Sequence, residues 1–377
     1  LEFWESECPV EVADKTYFAS AFSNVTAFET DEGLVLIDSG VAEFAPVLSG
    51  LVRERTDASL HTVVYTHGHV DHTAGVGEFL VEGQEEPRVA AHENVKDSFE
   101  RYAKTRGHNN VINARQFGGT PSTEGVESED GLESDEGRFG EPEYTPDTLY
   151  RDSIVLTVSD LTFELNHGKG ETDDHTWVYC PERDVLCTGD FFVSVAPNAG
   201  NPQKVQRYPE EWADALREMA GKGASSMCPG HGEAVVDDEG TGTRDVETDY
   251  DEPWLEQHYD EDEFVARNLV RRYGGLWSGR PSELKPASRE SVATEIAELV
   301  DGAEPLAERA RELQDEGETR LAFHLADYAI EAEPEKEEVR EAVNEVYKRR
   351  ADDEQSLMST NIFISAAAYA DEGRPFR

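Results

Sequence analysis

Apolar and polar positions alternate from Lys15 to Ile37. The alternation predicts three strands, Thr16-Tyr17-Phe18, Val25-Thr26-Ala27-Phe28 and Leu34-Val35-Leu36-Ile37, the last ended by Asp38-Ser39-Gly40. The period then changes: Phe44, Val47, Leu48, Leu51 and Val52 repeat at helical spacing. Thr62-Val63-Val64-Tyr65 predicts another strand, and Val89-Ala90-Ala91 one that ends at His92. A helix is expected from Asn94 through Tyr102. Residues 154–158 with 161–165, and 176–179 with 185–188, predict two strand pairs, the second joined by Pro181-Glu182-Arg183. Trp212, Leu216 and Met219 mark a helix, and Met227-Cys228-Pro229-Gly230-His231-Gly232 closes this part. Further on the pattern is purely helical. Ile296, Leu299 and Val300 share one face, as do Leu321, Leu325 and Tyr328; Val339, Val343 and Val346 mark another helix, with Gly317 and Pro334 as punctuation.

The pattern divides the 377 residues into an α/β part over 1–235, an acidic linker over 236–252 and a helical part over 253–377. Residues 120–145 are acidic, Gly-rich and nearly without apolar anchors, which predicts a long loop. Composition sharpens this picture. Asp and Glu number 81 against 34 Lys and Arg, a formal charge of −47 spread along the chain. A disordered acidic chain lacks aromatics, but this one has 16 Phe, 13 Tyr and 5 Trp. A folded, carboxylate-covered, lysine-poor protein resembles those of halophiles, where salt screens the repulsion of like charges. The same charge argues against nucleic acid and anionic membranes as partners, and no run approaches the ~20 apolar residues of a membrane span. Cys8, Cys180, Cys187 and Cys228 have no zinc-type spacing and read as buried thiols. No signal peptide is visible from Leu1 onward, though a segment upstream would not be seen; a cytoplasmic location is expected.

Candidate chemistry concentrates in Thr66-His67-Gly68-His69-Val70-Asp71-His72, which follows the strand at 62–65 directly. His67 and His69 alternate, so they can face one metal; Asp71 and His72 can serve a second. A core would have to hydrogen-bond every polar atom it buried, so such a cluster suits metal chemistry better than packing. A two-metal centre also needs several ligands in close array. Downstream lie His167-Gly168-Lys169-Gly170-Glu171-Thr172-Asp173-Asp174-His175, then Cys187-Thr188-Gly189-Asp190, then His231.

Strand, Asp-Ser-Gly, helix, strand, His-x-His-x-Asp-His and later Pro-Gly-His-Gly together resemble the metallo-β-lactamase superfamily, over roughly residues 10–235. The resemblance implies an αββα sandwich with a two-metal site along the edge where the sheets meet, followed here by a small all-α domain. Glu171 stands where that superfamily usually has a ligand histidine. A glutamate there, the segment Asn113-Ala114-Arg115-Gln116-Phe117-Gly118 and the stretch Ser359-Thr360-Asn361-Ile362-Phe363-Ile364-Ser365-Ala366-Ala367 resemble the alkylsulfatase branch, which carries a helical dimerisation domain. Two departures stand out. That branch bridges its metals with a glutamate where this chain has Asp190, and its sterol-carrier-like domain has no counterpart up to Arg377, which leaves a detergent-like substrate open.

The resemblance assigns His67, His69 and Glu171 to a first metal, Asp71, His72 and His231 to a second, and Asp190 to both. His175 is an alternative or a supplement to Glu171. Asp71 is also the catalytic candidate, and Asp38 is expected to orient the ligand loop rather than bind metal. Mixed nitrogen and oxygen donors suit two Zn²⁺ ions, and a carboxylate-rich set also admits Mn²⁺ or Fe²⁺. Arg115, Lys204 and Arg207 are candidates to hold an anionic ester group, with surface ion pairing as the alternative for each. Asn109, Asn110 and Asn113 read as turn caps rather than substrate donors; His92 and His108 read as core or loop residues.

The expected activity is binuclear hydrolysis of a small sulfate ester by a metal-bridging hydroxide, in a homodimer formed through residues near 255–370. One scaffold serves many chemistries, so lactone, thioester and phosphoester hydrolysis stand as alternatives. A metal-binding oligomeric scaffold without turnover is the reading from another class. It fits less well, because structural metal sites are usually closed and saturated.

Overall fold

The computed structural model describes residues 9–116, 142–193, 197–236 and 260–376. Cys8, most of the expected acidic loop and nearly all of the expected linker lie outside the described residues. Two compact units emerge. One holds 9–106, 142–193, 197–199 and 205–236; the other holds 107–116, 200–204 and 260–376.

The first unit contains two sheets. The larger lays β1 (Val10–Ala13), β2 (Thr16–Ala19), β3 (Val25–Thr30), β4 (Gly33–Ile37), β5 (Leu60–Val64), β6 (Arg88–His92) and β7 (Thr148–Tyr150) side by side in sequence order. Pairing is antiparallel from β1 to β4 and parallel from β4 to β7. The parallel step from β4 to β5 needs a crossover, which α1 (Ala45–Arg53) supplies. The short α2 (Val70–Thr73) follows β5, and α3 (Val95–Lys104) follows β6. The smaller sheet contains β8 (Ser153–Val158), β9 (Leu161–Gly168), β10 (His175–Cys180), β11 (Val185–Val193), β12 (Ser226–His231) and β13 (Val235–Val236). Strands β8 to β11 form an antiparallel meander, and α5 (Pro209–Ala220) crosses over so that β12 runs parallel to β11.

Period-two alternation explains the layering. Along β4, Val35 and Ile37 join Phe28, Val64, Phe163, Leu165, Val178, Cys187 and Cys228 in a core built from both sheets. Leu34 and Leu36 point the other way, against Leu48, Leu51 and Val52 of α1 and Val95 and Phe99 of α3. On the far face of the smaller sheet, the α5 residue Trp212 lies edge-on to Phe191 and donates its indole N–H to the Phe191 carbonyl at 2.8 Å. The result is the expected αββα arrangement. Cys180, Cys187 and Cys228 are buried free thiols within the inter-sheet core, as their spacing suggested.

The second unit is helical: α4 (Arg106–Gln116), α6 (Asp262–Gly274), α7 (Pro281–Leu284), α8 (Arg289–Leu299), α9 (Glu304–Asp315), α10 (Thr319–Ala332), α11 (Glu337–Asp353) and α12 (Leu357–Asp371). Ser288 and Ser356 cap α8 and α12 through their side chains. The packing adds one fact and corrects one expectation. Leu299 is 85% and Leu321 50% exposed, while Ala293, Ala297, Ala322, Ala326 and Ala329 are buried. The helices approach through small residues, so the larger leucines are left outside. Asn109, Asn110 and Asn113 lie within α4 rather than in a turn, and the Asn113 Oδ1 accepts from Lys204 Nζ at 2.7 Å. Among the described residues no helix is long and apolar enough to cross a membrane.

Candidate metal centre

The site forms where strand ends of both sheets deliver polar side chains to one place. At the end of β5 the chain turns out of the sheet and carries His67, His69, Asp71 and His72. Asp190 sits in β11, beside Gly189 at φ +52°. His231 ends β12, and His175 begins β10. Gly230 has to be glycine for a steric reason: a methyl there would overlap the Asp190 Oδ1.

Two groups of donors result. Ligand atoms of His67, His69 and Asp190 all lie within 4.8 Å of one another, as do those of Asp71, His72 and His231. Asp190 joins the groups: its Oδ2 is 3.7 Å from His67 Nε2, and its Oδ1 is 3.2 Å from His72 Nε2 and 3.4 Å from His231 Nε2. The Asp71 Oδ2 lies 3.6 Å from His72 Nε2 and 3.4 Å from His231 Nε2.

Partners behind the donors fix which ring nitrogen faces the centre. Asp38 accepts from the Thr66 backbone N–H at 2.7 Å and the Thr66 hydroxyl at 2.8 Å, and its Oδ2 holds His72 Nδ1 at 2.8 Å. It orients the loop, as the sequence suggested. The His231 Nδ1 donates to the Phe22 carbonyl at 2.5 Å, and Asp174 accepts from Gly68 N–H at 3.0 Å. These contacts leave the His72 Nε2, His175 Nε2 and Asp190 Oδ1 buried without a hydrogen-bond partner. Buried orphans of this kind are costly in a protein interior, and cations are the partners that satisfy imidazole lone pairs and carboxylates together. The donor set therefore fits divalent metal ions.

The electrostatics agree. Burial, then the neighbouring His175, His72 and His69, push His67 well below its ordinary pKa, and burial takes His175 down to about 3. Both rings are neutral and offer lone pairs. Burial works against charge at His72 and His231 too, but Asp190 and its carboxylate neighbours outweigh it; His72 rises well above its ordinary value and His231 to about 10. Without cations the carboxylates hold protons on these two rings, so metal binding there releases protons.

Glu171 and His175, the two residues expected to complete the first group, both lie outside the donors gathered within 4.8 Å. His175 stacks on His67 with ring centroids 4.0 Å apart, while the Thr172 hydroxyl lies 3.0 Å from its Nδ1. Glu171 is buried, and its Oε1 accepts from Arg207 Nη2 at 2.5 Å and Asn198 Nδ2 at 2.6 Å. Arg207 is only 1% exposed and also donates to the Glu171 carbonyl at 3.0 Å and the Asn198 carbonyl at 3.2 Å. The residue expected to meet substrate is thus bound to Glu171. Arg115 and Lys204 belong to the helical unit. There Arg115 lies over the rings of Phe376 at 4.2 Å and Tyr369 at 5.2 Å, and Lys204 bonds Asn113. Sequence reasoning missed Asn198, Asp174 and Tyr102, whose ring sits 5.8 Å from that of His69. Asn198 belongs to no periodic pattern or motif, while Asp174 lies in the segment before His175 and Tyr102 in the expected helix, where nothing local marks either for this role.

Comparison with known proteins follows this division. A family described as the metallo-beta-lactamase superfamily matches residues 21–231, and one described as alkyl sulfatase dimerisation matches 248–373. Among curated proteins, a linear primary-alkylsulfatase of Pseudomonas sp. (strain ATCC 19151) is 24% identical over 368 residues, covering 85% of this chain and 69% of that protein. An (R)-specific secondary-alkylsulfatase of Pseudomonas sp. is 22% identical over 420 residues, covering 97% and 63%. The solved structure of a stereoselective inverting sec-alkylsulfatase from Pseudomonas sp. superposes with a TM-score of 0.81 at 20% identity, covering 98% of this chain and 66% of that one. The chain spans about two thirds of the length of these relatives.

Proposed function

This chain belongs to the metallo-β-lactamase superfamily, and from that premise we propose that it is a binuclear metallohydrolase that cleaves sulfate esters. One observation carries the reading: the His/Asp donor groups in one unit are followed by a match to alkyl sulfatase dimerisation in the other. His67 and His69 would hold one cation and Asp71, His72 and His231 the other, with Asp190 available to either group. Glu171 completes the first group, with His175 as its alternative. Two divalent cations held there supply an activated water at neutral pH and neutralise charge on the departing oxygen. The protein's own residues do the positioning. Asp38 and the Phe22 carbonyl fix the His72 and His231 rings, and Arg207 with Asn198 fixes the Glu171 carboxylate. Asp71 is the carboxylate nearest both His72 and His231 besides Asp190, and we assign it the catalytic part. Arg207 serves the site through Glu171 rather than by meeting the ester's anionic group itself. The metal is proposed as Zn²⁺, the surface as adapted to high salt, and the location as cytoplasmic, which buried free thiols suit.

The test is sulfate release from short and long alkyl sulfates in molar KCl, beside paraoxon, a homoserine lactone and a thioester. Sulfate release is expected, with about two metals per chain by plasma mass spectrometry. Glu171→Gln is expected to lose more metal than His175→Gln; the reverse order moves the ligand to His175. Clean lactone turnover with inert sulfates overturns the substrate assignment, and metal near zero in unchelated protein overturns the centre.

The helical unit carries the proposed homodimer. Val270, Tyr273, Leu276, Trp277 and Leu284 crowd into fifteen residues and are all exposed, Leu276 by 77%. A patch this apolar on so acidic a chain marks an interaction surface, and a second copy is the occupant we assign. Leu276→Asp with Trp277→Asp is expected to halve the mass measured by light scattering in molar KCl. A wild-type monomer, or a variant that stays dimeric, rejects this surface.

A further inference from the structure

Helix α3 does more than cover the larger sheet. Its residues Val95, Ser98 and Tyr102 recur at three- and four-residue spacing, so they share one face. That face grips the ligand loop. A methyl placed on Gly68 would meet Ser98 Cβ at 2.8 Å and the Val95 carbonyl at 3.5 Å, so helix and loop touch with no room between them. One turn further, the Tyr102 ring lies edge-on to His69 at 5.8 Å and 60°. His69 is partly buried, as are Asp71 and His231, whereas His67 and His72 are fully buried, so His69 is one of three donors within reach of solvent. Burial acts most strongly on the Tyr102 hydroxyl, followed by the charges of Arg101, Arg207, Asp174 and Glu171.

We propose that the Tyr102 hydroxyl is a substrate-contacting hydrogen-bond donor that holds a sulfate oxygen of the ester on the His69 side of the centre. The proposal rests on the sulfate-ester reading and adds a residue to it. The chemistry is suitable. A phenol stays protonated at neutral pH and donates one hydrogen bond to an anion without adding charge. On a chain of −47, an anionic group needs fixed donors at its binding place, and a donor carried by a helix packed against the ligand loop is held in position.

Tyr102→Phe separates this role from packing, because phenylalanine keeps the ring against His69 and removes only the oxygen. The holoenzyme and the variant are compared in molar KCl for metal content, for binding of inorganic sulfate by calorimetry, and for KM and kcat on an alkyl sulfate. The expected result is about two metals in both proteins, with sulfate affinity and kcat/KM lowered about 10- to 100-fold in the variant, the range for a hydrogen bond to a charged group. Sulfate binding and kcat/KM within twofold of wild type overturn the proposal. So does a loss of metal in Tyr102→Phe, which would make the hydroxyl a support for His69, and so does a wild-type holoenzyme that does not bind sulfate. If the wild type binds sulfate but cleaves no sulfate ester, the functional reading fails, and the calorimetric comparison still decides the role of Tyr102.

Discussion

Asp190→Ala is expected to lower kcat/KM by about a thousandfold or more and to take the metal content from about two per chain to below one. Residues that only support a metal ligand typically cost 10- to 100-fold when removed, and a carboxylate serving both positions counts for more than one ligand. Among the described residues, Asp190 reaches His67 on one oxygen and His72 and His231 on the other. Its loss leaves those rings without the anion that holds them around one point. Circular dichroism controls for the fold, since the Ala side chain fits wherever Asp fits. Gly230→Ala is a second route to the same result: the carboxylate stays but is displaced by the new methyl. An Asp190→Ala protein with two metals and more than a tenth of wild-type activity would falsify the bridging role.

The second large effect is on the whole fold. Lowering KCl from about 2 M to about 0.02 M should unfold the protein or cut its thermal midpoint by tens of degrees, read by circular dichroism and tryptophan fluorescence. The screening length decides it. At 1 M salt it is about 3 Å, shorter than the spacing of neighbouring surface charges; at 0.01 M it is about 30 Å. A unit of this size has a radius of gyration of about 17 Å, so at low salt nearly all of its surplus carboxylates repel one another. The ion pairs cannot offset this. Most, such as Arg309 with Glu312 and Glu316, are solvent-exposed, and such pairs contribute little. Sucrose at low salt separates general stabilisation from screening, since it strengthens burial without shielding charge. A midpoint that holds within a few degrees across the KCl series sinks the salt-adapted reading.

Much of the fold was legible in the sequence. Strands at 25–30, 33–37, 153–158 and 161–168 announce themselves by alternation bounded by turns, and α1 by Leu48, Leu51 and Val52. The helical unit was less legible in detail. Leucine spacing marked helical faces, but Leu299 and Leu321 lie exposed because alanines fill the close helix contacts, and alanine gives almost no periodic signal. The donor loop at 67–72 was legible because its ligands are consecutive in sequence and stiffly placed after a strand. Arg207 was legible only as a cation near the site. That it holds Glu171, with Asn198 beside it, depends on a loop between β11 and α5 whose path no local pattern encodes.

The sequence by itself determined the chemistry on offer: the spacing of His67, His69, Asp71 and His72, the αββα order of elements, the helical unit and the charge of −47. These are local or additive properties, carried by neighbouring residues or by simple sums. The tertiary structure decided what depends on distant strands meeting. It set Asp190 between the two donor groups, left His175 Nε2 unsatisfied beside His67, tied Glu171 to Arg207, and laid Tyr102 of α3 against His69. Each of these is a contact between residues tens of positions apart or between separate elements, fixed by strand register and helix packing rather than by any motif.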